Sequence, residues 1–367
     1  MFKTSSSARH HETFYVKKKF PSQSVRAHRS IREGGFFNLR VLGSVLACTA
    51  AVGLALTALA YEPAASVPAR LATSIVVNTT RQDLAATPEA ATLSNLSARS
   101  FVQTGDNLMI GGFIVQGPGT KRVIIRAIGP ELSQYGVPNA MADPTLELHD
   151  GTGALIGRND NWQTTIIGGI ITHDQVQDIQ NSGHAPADAR ESAIIGDLSP
   201  GNYTAIVRGV NETTGIALVE VYDIGTDTTS ILSNISTRSF VQNGDNVMIG
   251  GFIVQGTGTK RVIIRAIGPE LSQYGVPTPL ADPTLELHDG TGALIGFNND
   301  WQHTVIGGII THDQVQDIIN SGHAPSDALE SAIIADLPTG NYTAIVRAVN
   351  IEVGAALVEV YDLSGSQ

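Results

Sequence analysis

The chain repeats itself, and that repetition limits what it can become. Leu93 aligns with Leu232, Arg126 with Arg265, Trp162 with Trp301, Tyr203 with Tyr342 and Asp223 with Asp362, always at one offset (301 − 162 = 139) and without a gap. About four positions in five are identical. A period this long exceeds any solenoid unit, so each copy is expected to be a complete domain, one spanning 93–228 and the other 232–367. Only Ile224 to Ile231 separates the last strand of one copy from the first of the next, so the two are expected to touch.

Within a copy the hydrophobic period is that of strands. In DPTLELHDGTGALIGRNDNWQ, Leu146 and Leu148 alternate with Thr145, Glu147 and His149. Asp150-Gly151-Thr152-Gly153 then makes a turn, because Gly tolerates positive φ. Further strands are expected at Ser100–Gln103, Leu108–Gln116, Lys121–Ile128, Ala154–Gly157, Ala193–Asp197, Tyr203–Val210 and Ile216–Tyr222. Eight short strands separated by turn residues predict an all-β fold, a two-sheet sandwich of jelly-roll type in each copy. Gly111-Gly112 inside a strand predicts a bulge or a close backbone approach. One short helix is expected, with Thr172 as N-cap, Gln175 completing a capping box, and Gly183 as the stop.

The N-terminus differs in kind. Val41 to Ala60 is an uncharged apolar run, preceded by a basic segment and ending in Ala58-Leu59-Ala60. Two readings stay open. Residues 1–60 form a basic leader and a signal peptide cut after Ala60, or residues 41–60 stay as a membrane anchor with the basic end in the cytoplasm. Residues 61–92 read as a flexible linker rich in Ala, Thr and Pro. Either way the body is exported, to be secreted or held at the cell surface, and it meets a membrane only through an uncleaved leader.

Charge supports this division. Residues 1–40 carry nine Lys/Arg against Glu12 and Glu33, or +7, so the net −11 leaves −11 − 7 = −18 for the rest. An acidic body excludes nucleic acid as a partner, because phosphate recognition needs a basic face. The only cysteine is Cys48, so no disulfide can form within the chain.

PTLELHDGTGALIG and GNYTAIVRGVNETTGIALVEVYD (Gly201 to Asp223) resemble the strand–turn–strand and closing hairpin of bacterial pre-peptidase C-terminal domains. The whole repeat is similar to a module found in tandem in large exported bacterial proteins. The resemblance implies a β-sandwich accessory module and brings no catalytic motif.

The candidate chemistry clusters on the duplicated hairpin. Asp143, Asp150, Asp160 and Asn161, with Asp282, Asp289, Asn299 and Asp300 in the second copy, supply the hard oxygen donors that suit Ca²⁺; an Asx-rich turn explains the same residues without an ion. Trp162 and Trp301, beside Asn159 and Asn298, can serve as stacking platforms for a sugar or can close the core. Arg122, Arg126 and Arg208 with Glu147, Glu191 and Glu220 are expected to form ion pairs on a solvated face. Glu131 and Glu191 would be the carboxylates of a glycosidase, though nothing in the sequence joins them. His149, His173 and His184 match no zinc spacing. The expected function is a non-catalytic structural, adhesive or surface-binding unit meeting an extracellular glycan or protein surface. A carbohydrate-binding module, with or without calcium, is the alternative, and a hydrolase is more remote.

Overall fold

The computed structural model describes residues 91–363, so the expectations for the leader (1–60) and nearly all of the linker (61–92) lie outside the described residues. The first copy contributes β1 (Thr92–Val102), β2 (Met109–Gln116), β3 (Lys121–Ile128), β4 (Pro144–Asp150), β5 (Leu155–Asn159), α1 (Val176–Asn181), β6 (Ser192–Leu198), β7 (Gly201–Gly209) and β8 (Gly215–Asp223). The second contributes β9 (Ile231–Val241), β10 (Met248–Ile267), β11 (Pro283–His288), β12 (Leu294–Asn298), α2 (Val315–Asn320), β13 (Ser331–Ala348) and β14 (Gly354–Asp362). β10 and β13 are long because each bends from one sheet into the other. The ladder between them is interrupted between Val254 and Thr259.

In the first copy the antiparallel ladders run β1-β8-β3-β6 and β2-β7-β4-β5. That is the strand order of a jelly roll, and the protein is all-β, as the alternation in its strands predicts. Alternation also sorts the faces. On β4, Pro144, Leu146 and Leu148 are buried while Thr145, Glu147 and His149 are half-buried. A one-residue slip would reverse them. Leu146, Leu148, Val207, Phe113 and Met109 pack between the sheets against Leu96, Val123, Ile125, Val219 and Val221. Each side chain of this size contributes about 1.5–3 kcal/mol when fully buried.

The edges of one jelly roll are completed by the other. β1 pairs with the first part of β10, and β9 pairs with β2. The two ladders are reciprocal: Ser97 faces Gly251, and Ser236 faces Gly112, each pair being the other displaced by 139 (97 + 139 = 236; 112 + 139 = 251). One sheet therefore runs β5-β4-β7-β2-β9-β14 and on into β10 and β13, and the other runs β12-β11-β13-β10-β1-β8-β3-β6. One apolar core contains residues of both copies. The repeats are thus jelly rolls by topology, but their edge strands and core are shared across 228–232. The close approach expected at Gly111-Gly112 falls on this seam: a Cβ on Gly112 would lie 2.5 Å from Ser236 Oγ.

β1 starts at Thr92, eight residues before the strand expected at Ser100. Asn95, Ser97 and Arg99 give it the look of a loop. All three are nevertheless buried, because the strand lies between β8 and β10.

The outer edges are closed as well. Gln175, expected in a capping box, is buried beside β6: its Oε1 accepts from Ile195 N–H (3.1 Å) and its Nε2 donates to Ile195 O (2.7 Å). Gln314 does the same to Ile334. Ile170 N–H donates to Ile156 O on β5, and Ile309 N–H to Ile295 O on β12. An amide clamp and a crossing loop occupy groups that would otherwise template another strand. The helix itself is shorter than expected. Thr172 does not cap it; Asp174 Oδ1 accepts from Val176 N–H instead, while Gly183 stops the segment with φ +74.

Candidate functional site

The acidic rim expected on the β4–β5 hairpin divides into two places. Asp143 precedes β4 and Asp150 ends it, seven residues and roughly 23 Å apart along an extended strand. They cannot share an ion. Asp150 closes the turn: its Oδ1 accepts from Thr152 N–H, Thr152 Oγ1 and Ala154 N–H. The Thr152 hydroxyl is the main reason its carboxyl sits below the usual range. Asp289 repeats the turn with Thr291 and Ala293.

Asp143 and Asp160 stay together at the other end. One oxygen of each is sealed from solvent with no hydrogen-bond partner. Burial, then the neighbouring Asp160 charge, raises the Asp143 carboxyl. In the second copy the partner changes position but not character. Asp282 is raised by burial and then by Asp300, and Asp282, Asn299 and Asp300 each hold a sealed oxygen. Asn161 belongs to the turn before Trp162, its carbonyl accepting from Thr164 N–H. Among the described residues no group of three or more His, Cys, Asp or Glu converges as metal ligands.

The tryptophans are interior. Trp162 is 5% exposed, packs with Ile124, Ile179, Ala193, Ile195 and Tyr222, and donates from Nε1 to Asp188 O at 3.0 Å. Trp301 is 7% exposed and donates to Asp327 O. A buried ring presents no face to a sugar, so of the two roles open to these residues the structure selects core. Asn159 Oδ1 accepts from Ala193 N–H and its Nδ2 donates to Thr164 O; Asn298 makes the matching bonds to Ala332 and His303. Both are braces.

The charged strand residues behave less uniformly than expected. Arg122 reaches Asp197 and Asp178 on an exposed face. Arg126 faces Glu220 across β3 and β8, but that pair is buried. Arg126 Nε and Nη2 donate to Glu220 Oε2, Nη1 donates to His184 O, and Tyr222 Oη donates to Glu220 Oε1 at 2.7 Å. His184 stacks on Tyr222 with ring centroids 4.3 Å apart. Burial pushes the Tyr222 phenol far above its ordinary range, and Glu220 adds to the shift. The helical cover over β3 and β8 removes this face from water.

Glu131 and Glu191 do come together, yet not as exposed acids. Glu191 has no exposed surface; its Oε1 accepts from Gly129 and Glu131 N–H and its Oε2 from Asp188 N–H. Burial raises its carboxyl to about 7 against those donors. A cavity of about 700 Å³ lies beside Lys121, Tyr222, Asp223 and Asp227. Its lysine is already engaged, with Nζ 2.5 Å from Asp223 Oδ2 and 2.6 Å from Asp227 O.

A second cleft, of about 380 Å³, opens in the second copy around Arg238, Arg265, Glu270, Tyr274, Glu359 and Tyr361. Arg265, Glu359 and Tyr361 repeat the bonding of Arg126, Glu220 and Tyr222. Arg99 and Arg238 escaped notice in the sequence. The alternation of Asn95, Ser97 and Arg99 fits a strand but says nothing of its burial, which pairing with β10 supplies.

No known protein family matches the chain, and no curated protein matches it in sequence. Solved structures give distant likenesses. The STIV MCP is 12% identical over 75% of this chain and 98% of its own, with a TM-score of 0.19. A fucolectin from striped bass (Morone saxatilis) serum is 9% identical over 68% and 79%, with a TM-score of 0.17. A DUF4785 family protein from Legionella pneumophila is 7% identical over 74% and 84%, with a TM-score of 0.19. At such scores these likenesses carry no argument about function.

Proposed function

We propose that the chain is a non-catalytic exported protein whose joined jelly rolls act as one structural or surface-binding unit outside the cell. The reciprocal seam carries this reading: it turns two repeats into a body that displays each loop set twice, with every outer edge capped. Duplicate displays suit weak multivalent contact, in which the first engagement raises the effective concentration of the second. Capped edges do not suit fibre growth by strand addition. The apolar run at 41–60 supports export. The test is full-length protein without its leader on a broad glycan array and on immobilised extracellular proteins, with a polysaccharide and peptide turnover panel in parallel. Retention without product is expected. Product from any substrate overturns the non-catalytic reading.

The paired sealed oxygens of Asp143 and Asp160, recurring at Asp282 and Asp300, favour a second reading in which each pair holds Ca²⁺ with carbonyl or water oxygens completing the shell. Ca²⁺ is then expected to raise the melting temperature, and Asp143→Asn with Asp282→Asn to abolish the response. A melting curve indifferent to both Ca²⁺ and EDTA would leave two carboxyl pairs and no ion.

A further inference from the structure

The two copies hold the same three side chains, an Arg, a Tyr and an Ile, at one place with different exposure. In the first copy Arg99 is 6% exposed, Tyr135 is half-buried, and Ile249, across the seam from Arg99, is 2% exposed. In the second, Tyr274 is 73% exposed, and Arg238 and its seam neighbour Ile110 are half-buried. The backbone does not account for the difference. Tyr135 and Tyr274 end matching 3₁₀ turns, Pro130–Tyr135 and Pro269–Tyr274, followed by left-handed glycines at φ 75 and 73. What changes is the exposure of the side chain. Tyr135 is half-buried where Tyr274 is exposed, and it is Tyr274 that lines an open cleft.

The charges inside that cleft narrow what can enter it. Arg265 is fully engaged by Glu359 and His323 O, and Tyr361 Oη donates to Glu359. Glu270 lends one oxygen to Ser326 N–H. Arg238 makes no ion pair or side-chain hydrogen bond with any described residue, so it is the unengaged cation. A planar guanidinium binds a carboxylate through two parallel hydrogen bonds. The second Glu270 oxygen can accept from a hydroxyl. Leu271, Val276 and Leu357 give an apolar floor, and the Tyr274 ring gives a stacking face. One negative charge, a hydroxyl and one apolar face are together the features of an acidic sugar. A doubly charged phosphate would meet Glu270 as well as Arg238, and a neutral sugar would leave Arg238 unanswered.

We propose that the cleft between Arg238 and Tyr274 binds an acidic sugar, a pyranose whose carboxylate sits on Arg238 and whose ring lies on Tyr274. The volume is in the range of small-ligand sites and admits one or two rings. The site rests on the reading of the protein as a binding unit and places its contact away from the buried tryptophans.

The test is calorimetric titration of the full chain with oligogalacturonate, with a neutral glucose oligomer as control. Binding of the acidic oligomer alone is expected. Arg238→Gln should weaken it at least about tenfold, the loss of a charged hydrogen-bonded contact, and Tyr274→Ala should weaken it too. Tyr135→Ala in the first copy should not. Melting curves confirm that each variant folds. No binding of the acidic oligomer, equal binding of the neutral one, or acidic binding unchanged in Arg238→Gln would each overturn the assignment. These failures leave the array test of the binding unit standing, so the two ideas fall separately.

Discussion

Arg126–Glu220–Tyr222 and Arg265–Glu359–Tyr361 are the same cluster built twice, and they differ in depth. The Glu220 side chain is 1% exposed and that of Glu359 9%. Burial, reinforced by Glu220, pushes Tyr222 far above the ordinary phenol range, whereas Tyr361 is pushed up to about 12 by burial and Glu359. Identical residues on identical strands thus sit in different dielectric surroundings, and the half-buried Tyr135 against the exposed Tyr274 accompanies the difference. Local sequence settles which groups meet. Their exposure is settled by the neighbourhood that closes over them.

The sharpest way to break this comparison is to remove one acid. Glu220→Ala leaves a buried guanidinium without its counter-charge and should lower stability by about 3–5 kcal/mol in urea denaturation. Glu359→Ala should lower it less, since Glu359 is the more exposed of the two acids and its pair is less completely withdrawn from water. Equal losses would mean that the two clusters are equally deep.

The buried carboxyls give a pH test of about 3 kcal/mol. Glu191 is held at about 7 in the folded chain against 4.5 ordinarily, and burial is the main cause. A group raised in this way binds a proton in the folded state that the unfolded chain has released. Its contribution is present at low pH and lost as pH rises from about 4.5 to 7. Glu330 is raised for the same reason. Stability should therefore fall across that window, and Glu191→Gln should flatten the slope more than Glu330→Gln. A flat wild-type profile would show that the three backbone donors hold Glu191 ionised throughout.

Gln175→Ala and Gln314→Ala should each cost about 1–2 kcal/mol by stranding the N–H and C=O of Ile195 or Ile334. They should also promote association through the uncovered strand, measured by light scattering. The smallest change is expected from Asp150→Ala and Asp289→Ala, which open exposed turns and should shift the melting temperature slightly and alike. A large or unequal shift would give the hairpin tip a role beyond the turn.

Much of the fold was legible because strand alternation is a local property. Leu146 and Leu148 declare a buried face wherever their strand lies. β1 was hidden for the opposite reason. Asn95, Ser97 and Arg99 are polar, and their burial comes from β10, more than 150 residues later, which no local pattern reports. The same gap misplaced the site. Asp143 and Asp150 are close in sequence yet stand at opposite ends of a rigid strand, and Trp162 follows a polar run but turns inward to β3 and β6. Arg238 and Tyr274 are ordinary letters until topology brings them together.

The reciprocal seam has a consequence for descent. In a single-copy ancestor meeting its twin, one substitution on the first strand would have altered both ladders at once. Fused into one gene, the ladders mutate independently, and each can accept a change that the pair together would have refused. Leu96 against Ile235, and Ala98 against Thr237, are where the two halves have already drifted apart.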